Sequence, residues 1–181
     1  MRSSRDLEVV ALVVFAIALP TSVAAMTIEQ AYAAIPHRRT MFDPSIATMG
    51  PNEASYLKEL FSLIDLAVKE RVETLLWLRS GGAQGDASDE YDTILMRLEH
   101  LSVPGRLQGV HRSVTEAIQE QRDVLREWRT EPTTISMEHP LVHSASKKLY
   151  QAYGMVIQLY SKEAPRNQQA FYDYFCCLDF L

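Results

Sequence analysis

Residues 51–79 read PNEASYLKELFSLIDLAVKERVETLLWLR. Within them Leu57, Leu60, Phe61, Ile64, Ala67, Val68, Val72, Leu75 and Leu76 recur at steps of three and four. That spacing stacks side chains on one face of a helix with 3.6 residues per turn. A half-buried strand would alternate at every second position, and this stretch does not. Pro51 suits a first helical turn, where a missing N–H leaves nothing unsatisfied, and Glu53 complements the positive end of the helix dipole. The stretch therefore predicts a long amphipathic helix, whose apolar stripe has to be buried against elements of the same kind.

The same period continues on both sides. Residues 80–87, SGGAQGDA, hold three of the seven glycines and predict a flexible connection. Ser88 is placed to cap a second helix whose stripe is Tyr91, Ile94, Leu95 and Leu98. Pro104-Gly105 interrupts it, as a kink or a tight reversal. A third helix over about 106–129 carries Leu107, Val110, Val114, Ile118, Leu125 and Trp128 on one side. Pro140 opens a fourth, reaching about residue 161, with Leu141, Val142, Ala145, Leu149, Ala152, Tyr153, Val156 and Tyr160 on its face. Pro165 precedes a final helix bearing Phe171, Tyr174, Phe175, Leu178 and Leu181.

Towards the N-terminus, Thr27 and Gln30 fit a capping box that starts a short helix to about Ile35, and Pro36 stops it. Residues 36–50 then read as an extended arm or loop. The expected fold is all-α: an antiparallel four-helix-type bundle over 51–181, with a kinked or broken second helix and a short apolar C-terminal helix. A short helix and arm over 26–50 precede it.

Residues 1–25 read as a secretory signal. Arg2 and Arg5 open it, Val9 to Leu19 runs without a charge, Pro20 breaks the run, and Ser22-Val23-Ala24-Ala25 supplies small residues for cleavage. Eleven residues of helix span only about 16 Å at 1.5 Å per residue, too short for a hydrocarbon core of about 30 Å. The expected location is the periplasm, with extracellular space or anchoring by an uncleaved signal as alternatives. Those 25 residues carry two basic and two acidic side chains, so the remaining 156 or so keep the net charge of −5. An acidic chain with no basic block is poorly suited to the clustered phosphate contacts of nucleic-acid binding. No second apolar run approaches membrane-spanning length.

Catalytic signatures are sparse. The sequence lacks Gly-x-Ser-x-Gly, His-Glu-x-x-His, a phosphate-binding glycine loop and an EF-hand loop. It also lacks Cys-x-x-Cys-His for covalent haem and the Glu-x-x-His pairs of di-iron bundles. Candidate metal ligands are His139 and His143, four apart and so on one helix face. Glu138 precedes them, and His111 lies between Leu107 and Val114 on the third helix. Together the three histidines define the alternative reading, a site for a metal ion or a non-covalent haem b. The competing reading makes His139 an N-cap and His143 an exposed first-turn residue. Asp65, Glu70 and Glu73 read as a solvated face, with Lys69 spaced to pair with Asp65. Glu116 and Glu120 could chelate a cation, although Arg112 is spaced to pair with Glu116.

The C-terminal AFYDYFCCLDFL of 170–181 holds more apolar groups than one helix face can bury. Its surplus, Tyr172, Cys176 and Phe180 at four-residue steps, marks either burial against the 27–50 arm or a partner interface. Arg38 and Arg39 form the one basic cluster in the arm and join that interface as candidates. The principal functional expectation is a non-enzymatic binding or accessory module. Its partner would be another exported protein or a second copy of the chain. Cys176 and Cys177 are adjacent, and Cα atoms 3.8 Å apart fall short of the usual disulfide span of 4.4 to 6.8 Å. Both are expected as free thiols, with Cys177 buried and Cys176 the more accessible.

Overall fold

The computed structural model describes residues 26–35, 40–81, 90–132 and 136–180. The signal segment, Arg38, Arg39, the Ser88 cap and Leu181 lie outside them. The described residues form six α-helices and no strand: α1 (Ile28–Ala33), α2 (Pro51–Arg79), α3 (Tyr91–Glu99), α4 (Gln108–Thr130), α5 (Pro140–Leu159) and α6 (Pro165–Leu178). Short 3-10 turns occupy Pro44–Ile46 and Gly105–Leu107.

Local chemistry sets most of the helix ends. The Thr27 hydroxyl accepts the Gln30 N–H at 3.2 Å while Gln30 Oε1 accepts the Thr27 N–H at 3.0 Å, the expected capping box. Pro51, Pro140 and Pro165 each stand in a first helical turn. His139 caps α5 through Nδ1, which accepts the Leu141 N–H at 3.2 Å. At the end of α3, His100 Nδ1 sits 2.7 Å from the Met96 carbonyl. A carbonyl can only accept, so Nδ1 carries the proton there.

Paired positions fix the helix directions. Asp92 in the first turn of α3 bonds Arg122 at 3.0 Å and Arg126 at 2.7 Å, late in α4. Pro104-Gly105 therefore lies in a reversal between two antiparallel helices. Lys148 reaches Glu120 at 2.5 Å and His139 reaches Glu127 at 3.3 Å, so α5 runs antiparallel to α4. Ser146 with Asp179 and Tyr153 with Tyr172 set α6 antiparallel to α5. By contrast, Tyr56 with His111 and Glu70 with Arg129 align α2 parallel to α4. Phe61 with Tyr174 and Arg71 with Leu178 align it parallel to α6 as well. Where the sequence predicts four main antiparallel helices, the described residues hold five of nine residues or more. Chain neighbours among them are antiparallel, and α2 closes the core against two parallel partners.

The predicted stripes form that core: Leu57, Leu60, Ile64, Leu98, Leu107, Val114, Ile118, Trp128, Val156 and Phe171 are all inaccessible to solvent or nearly so. One stripe departs from expectation. In the last turns of α2, Leu75 is 38 % exposed and Val72 and Leu76 are half-buried, whereas Glu70, Arg71 and Thr74 are buried. The reason is polar. Arg129 of α4 bonds both Glu70 (3.1 Å) and Thr74 (2.5 Å), and Arg71 is drawn to the end of α6, so these turns present charged groups inward. Glu70 is thus a buried ion-paired residue, not part of a solvated face.

Candidate binding site

Helices α5 and α6 lie side by side with a cleft of about 130 Å³ between them. Leu149, Tyr150 and Tyr153 line it from α5, Tyr172, Phe175 and Cys176 from α6, and Asp179 closes one end. Spacings of three and four place these groups on the facing sides of their helices. Phe175 and Leu149 are buried and form the floor. The Tyr153 and Tyr172 rings meet edge to face at 5.7 Å, and Tyr172 stays 41 % exposed. Tyr150 is 76 % exposed at the rim. Ordinary small-molecule pockets run to about 300–1,000 Å³, so this cleft has room for about one side chain.

Both cysteines are free, Cys176 half-buried in the cleft wall and Cys177 buried, as their spacing predicts. Cys176 pushes the Tyr172 hydroxyl above its ordinary pKa, first by hydrogen bonding and then by charge. The cleft therefore presents the neutral Tyr172 phenol beside Cys176. Asp179 is occupied elsewhere, its carboxylate accepting the Ser146 hydroxyl at 2.8 Å.

Phe180 does not share this surface. Helix α6 ends at Leu178, so the four-residue step that joins Tyr172 to Cys176 is not continued. Beyond it the chain is extended, and the Phe180 ring packs on Trp128 at 5.8 Å and beneath the Arg71 guanidinium at 5.2 Å. Of the three residues expected at the interface, two line the cleft and one covers the core.

The three histidines do not converge. His111 hydrogen-bonds Tyr56 at 3.1 Å near the start of α4. Burial lowers the pKa of His111 and raises that of Tyr56, so the pair is a neutral hydrogen bond. His139 sits beside Glu127, sixteen residues along α4 from His111 and so roughly 24 Å away at 1.5 Å per residue. His143 is exposed and contacts Glu138 at 3.2 Å. No group of three or more His, Cys, Asp or Glu among the described residues is placed to hold a metal ion. Glu116 and Glu120, expected to face a cation or Arg112, are bound by Lys148 of α5, at 3.9 and 2.5 Å.

Among the buried polar side chains that sequence reasoning missed are Glu163, Asn167 and Asp173, each no more than 4 % exposed. They bind backbone groups of the 40–48 segment. Glu163 precedes α6, and Asn167 and Asp173 stand six residues apart on it, so no local period marks them as buried. Only the unusual apolar excess of α6, which leaves little surface for water, hinted that a second layer of chain lies over it.

No helix among the described residues is long and apolar enough to cross a membrane. The chain matches no protein-family model, no curated protein and no solved structure.

Proposed function

We propose that this protein is an exported, non-enzymatic binding module that receives a protein partner on its α5–α6 face. One observation carries the reading: Tyr150 and Tyr172 stand in water at 76 % and 41 % exposure beside an apolar cleft of side-chain size. Tyrosine pairs a large apolar ring with a polar tip, and it is enriched where protein surfaces meet. The core does not need these two rings, because Phe175 and Leu149 already seal the space beneath them. The export part of the proposal rests on residues 1–25, whose apolar run and small residues before Met26 fit cleavage after Ala25.

The test is the variant Tyr172→Ser, read against the unchanged residue, in the full-length chain expressed in a secreting host. A photo-crosslinking residue at position 147 (outside the cleft) or 150 reports the contact. The proposal expects crosslinks at 150 that are absent from 147 and are lost on Tyr172→Ser, with circular dichroism unchanged. Crosslinking that is equal at both positions overturns it. Mass spectrometry of the exported material should show Met26 as the first residue, and full-length Met1 protein held in the cytosol overturns the export part.

A further inference from the structure

Residues 40–48 carry no α-helix, yet they are fastened to the molecule by an unusual set of bonds. The Thr40 N–H donates to Asp173 Oδ2 at 2.7 Å. The Asp43 N–H donates to Asn167 Oδ1 at 2.9 Å, and Asn167 Nδ2 returns a bond to the Asp43 carbonyl at 3.0 Å. The Thr48 N–H lies 3.0 and 2.9 Å from the two oxygens of Glu163, and the Thr48 hydroxyl donates to Oε2 at 3.0 Å. The segment satisfies only part of its backbone internally, through the Ser45, Ile46 and Ala47 N–H groups, and side chains of the 163–173 stretch supply partners at Thr40, Asp43 and Thr48. Two of the three fasteners are carboxylates.

Beneath the segment lies an aromatic cluster. Phe42 packs against Phe61 at 5.6 Å and Phe171 at 5.9 Å, and Phe61 stacks on Tyr174 at 4.3 Å. The Tyr174 hydroxyl points at the Met41 sulfur, 3.4 Å away. The outer side chains Met41 and Ile46 remain 60 % and 43 % exposed. The segment is thus a thin cover, held by polar bonds at three points and seated by one ring.

We propose that residues 40–48 form an acid-released strap, which protonation of the Glu163 fastener releases while the helices stay folded, uncovering Phe61, Phe171 and Tyr174. A carboxylate accepts at both oxygens, whereas a carboxylic acid places an O–H where Thr48 has its N–H and hydroxyl to donate. Bonds to a charged acceptor are also roughly twice as strong as neutral ones, so protonation weakens the Glu163 fastener. The amide of Asn167 does not titrate.

The surroundings set the sign. Burial works to raise Glu163, but hydrogen bonds from Ala164, Thr48 and Asn167 outweigh it and hold its carboxyl below the ordinary value of 4.5. A carboxyl depressed on folding contributes stability above its unfolded value, and that contribution is lost as pH falls through its folded value. The strap is therefore closed at neutral pH and opens in acid below about pH 4.5. Among the described residues the charged and titratable neighbours are Tyr160, just past the end of α5, with Arg106 and Glu53 beside it, and Arg166, which lowers the pKa of Asp43 in the strap. Asp173 also accepts Gln169 Nε2 at 2.7 Å and lies near Tyr172.

Amide hydrogen exchange on the full chain tests the strap between pH 7 and pH 3.5, using protection factors corrected for intrinsic rates. Protection at Thr40, Asp43 and Thr48 is expected to fall at least tenfold on acidification, while Val114 and Ile118 in α4 keep theirs. Glu163→Gln retains one carbonyl acceptor but not the charge, so Thr48 should be weakly protected with no step at any pH. Thr48→Val removes one donor that holds Glu163 ionised and should move the opening to higher pH. Strap and α4 amides losing protection in one step, an undiminished step at Thr48 in Glu163→Gln, or an unmoved midpoint in Thr48→Val would each overturn the proposal.

Discussion

The Arg71 guanidinium and the Leu178 carbonyl, 107 positions apart in the chain, meet at 2.7 Å in the interior. The same side chain also donates to the carbonyls of Cys177 at 2.7 Å and Asp179 at 2.5 Å, and Gln121 of α4 adds a second donor to Leu178 at 2.6 Å. A helix leaves its last carbonyls without internal partners, and its C-terminal end carries partial negative charge. A buried cation from α2 answers both needs. Helix α6 therefore ends where Arg71 can reach it, and Phe180 closes over the guanidinium from the other side.

Removing this donor set should be costly. Arg71→Met keeps much of the side-chain volume but removes the Arg71 donors from the Cys177 and Asp179 carbonyls, while Gln121 still serves Leu178, for a loss of about 3 kcal/mol at one to three per carbonyl that loses its donor. Arg71→Lys should recover only part of it, because an ammonium cannot fork across consecutive carbonyls as a guanidinium does. Urea unfolding measures both, and a shift of less than 1 kcal/mol in Arg71→Met would contradict the capping role.

Asp65 offers the opposite pH behaviour to the strap. Burial pushes its carboxyl up to about 6, partly offset by Lys69. A carboxyl raised on folding stabilises the fold while protonated, so its contribution is present in acid and lost as pH rises from about 4 to 6. Asp65→Asn should therefore raise stability at pH 7 by about 1 kcal/mol, after discounting for partial exposure, and change it little at pH 4. A thermal melt at each pH shows this. A larger gain at pH 4 than at pH 7 would reverse the sign.

The two α5 histidines should separate cleanly. His139→Ala removes the cap on Leu141 and should cost about 1 kcal/mol, with His139→Asn restoring most of it. His143→Ala touches an exposed contact to Glu138 and should stay within about 0.5 kcal/mol. Equal losses at both positions would point instead to a shared role.

The thiols should react in sequence. Cys176 should label in the native protein and Cys177 only after unfolding, because one lines the cleft and the other is 2 % exposed. Titration in denaturant without reductant should count two thiols per monomer. Labelling Cys176 should also block capture at the α5–α6 face, since it fills the cleft beside Tyr172.

Helix positions and the core were legible because they depend on local period. The stripes of α3, α4, α5 and α6, the Thr27 capping box, the prolines at helix starts and the burial of Cys177 beside a more open Cys176 all follow from spacing and side-chain chemistry within a few residues. Tertiary structure decided whatever depended on which helix lies beside which. It turned Glu70, Arg71 and Thr74 inward in place of Leu75, because their partners sit on α4 and α6. Lys148 takes Glu120 and also Glu116, which Arg112 was spaced to meet, and His111 and His139 lie far apart at α4 and the start of α5. Glu163, Asn167 and Asp173 became fasteners of the strap, and Phe180 was drawn away from Tyr172 and Cys176. The physical reason is common to all of these. An apolar stripe announces its own burial through its period, whereas a buried polar side chain is stable only if a distant group completes its hydrogen bonds. The identity of that group is a property of the packed molecule alone.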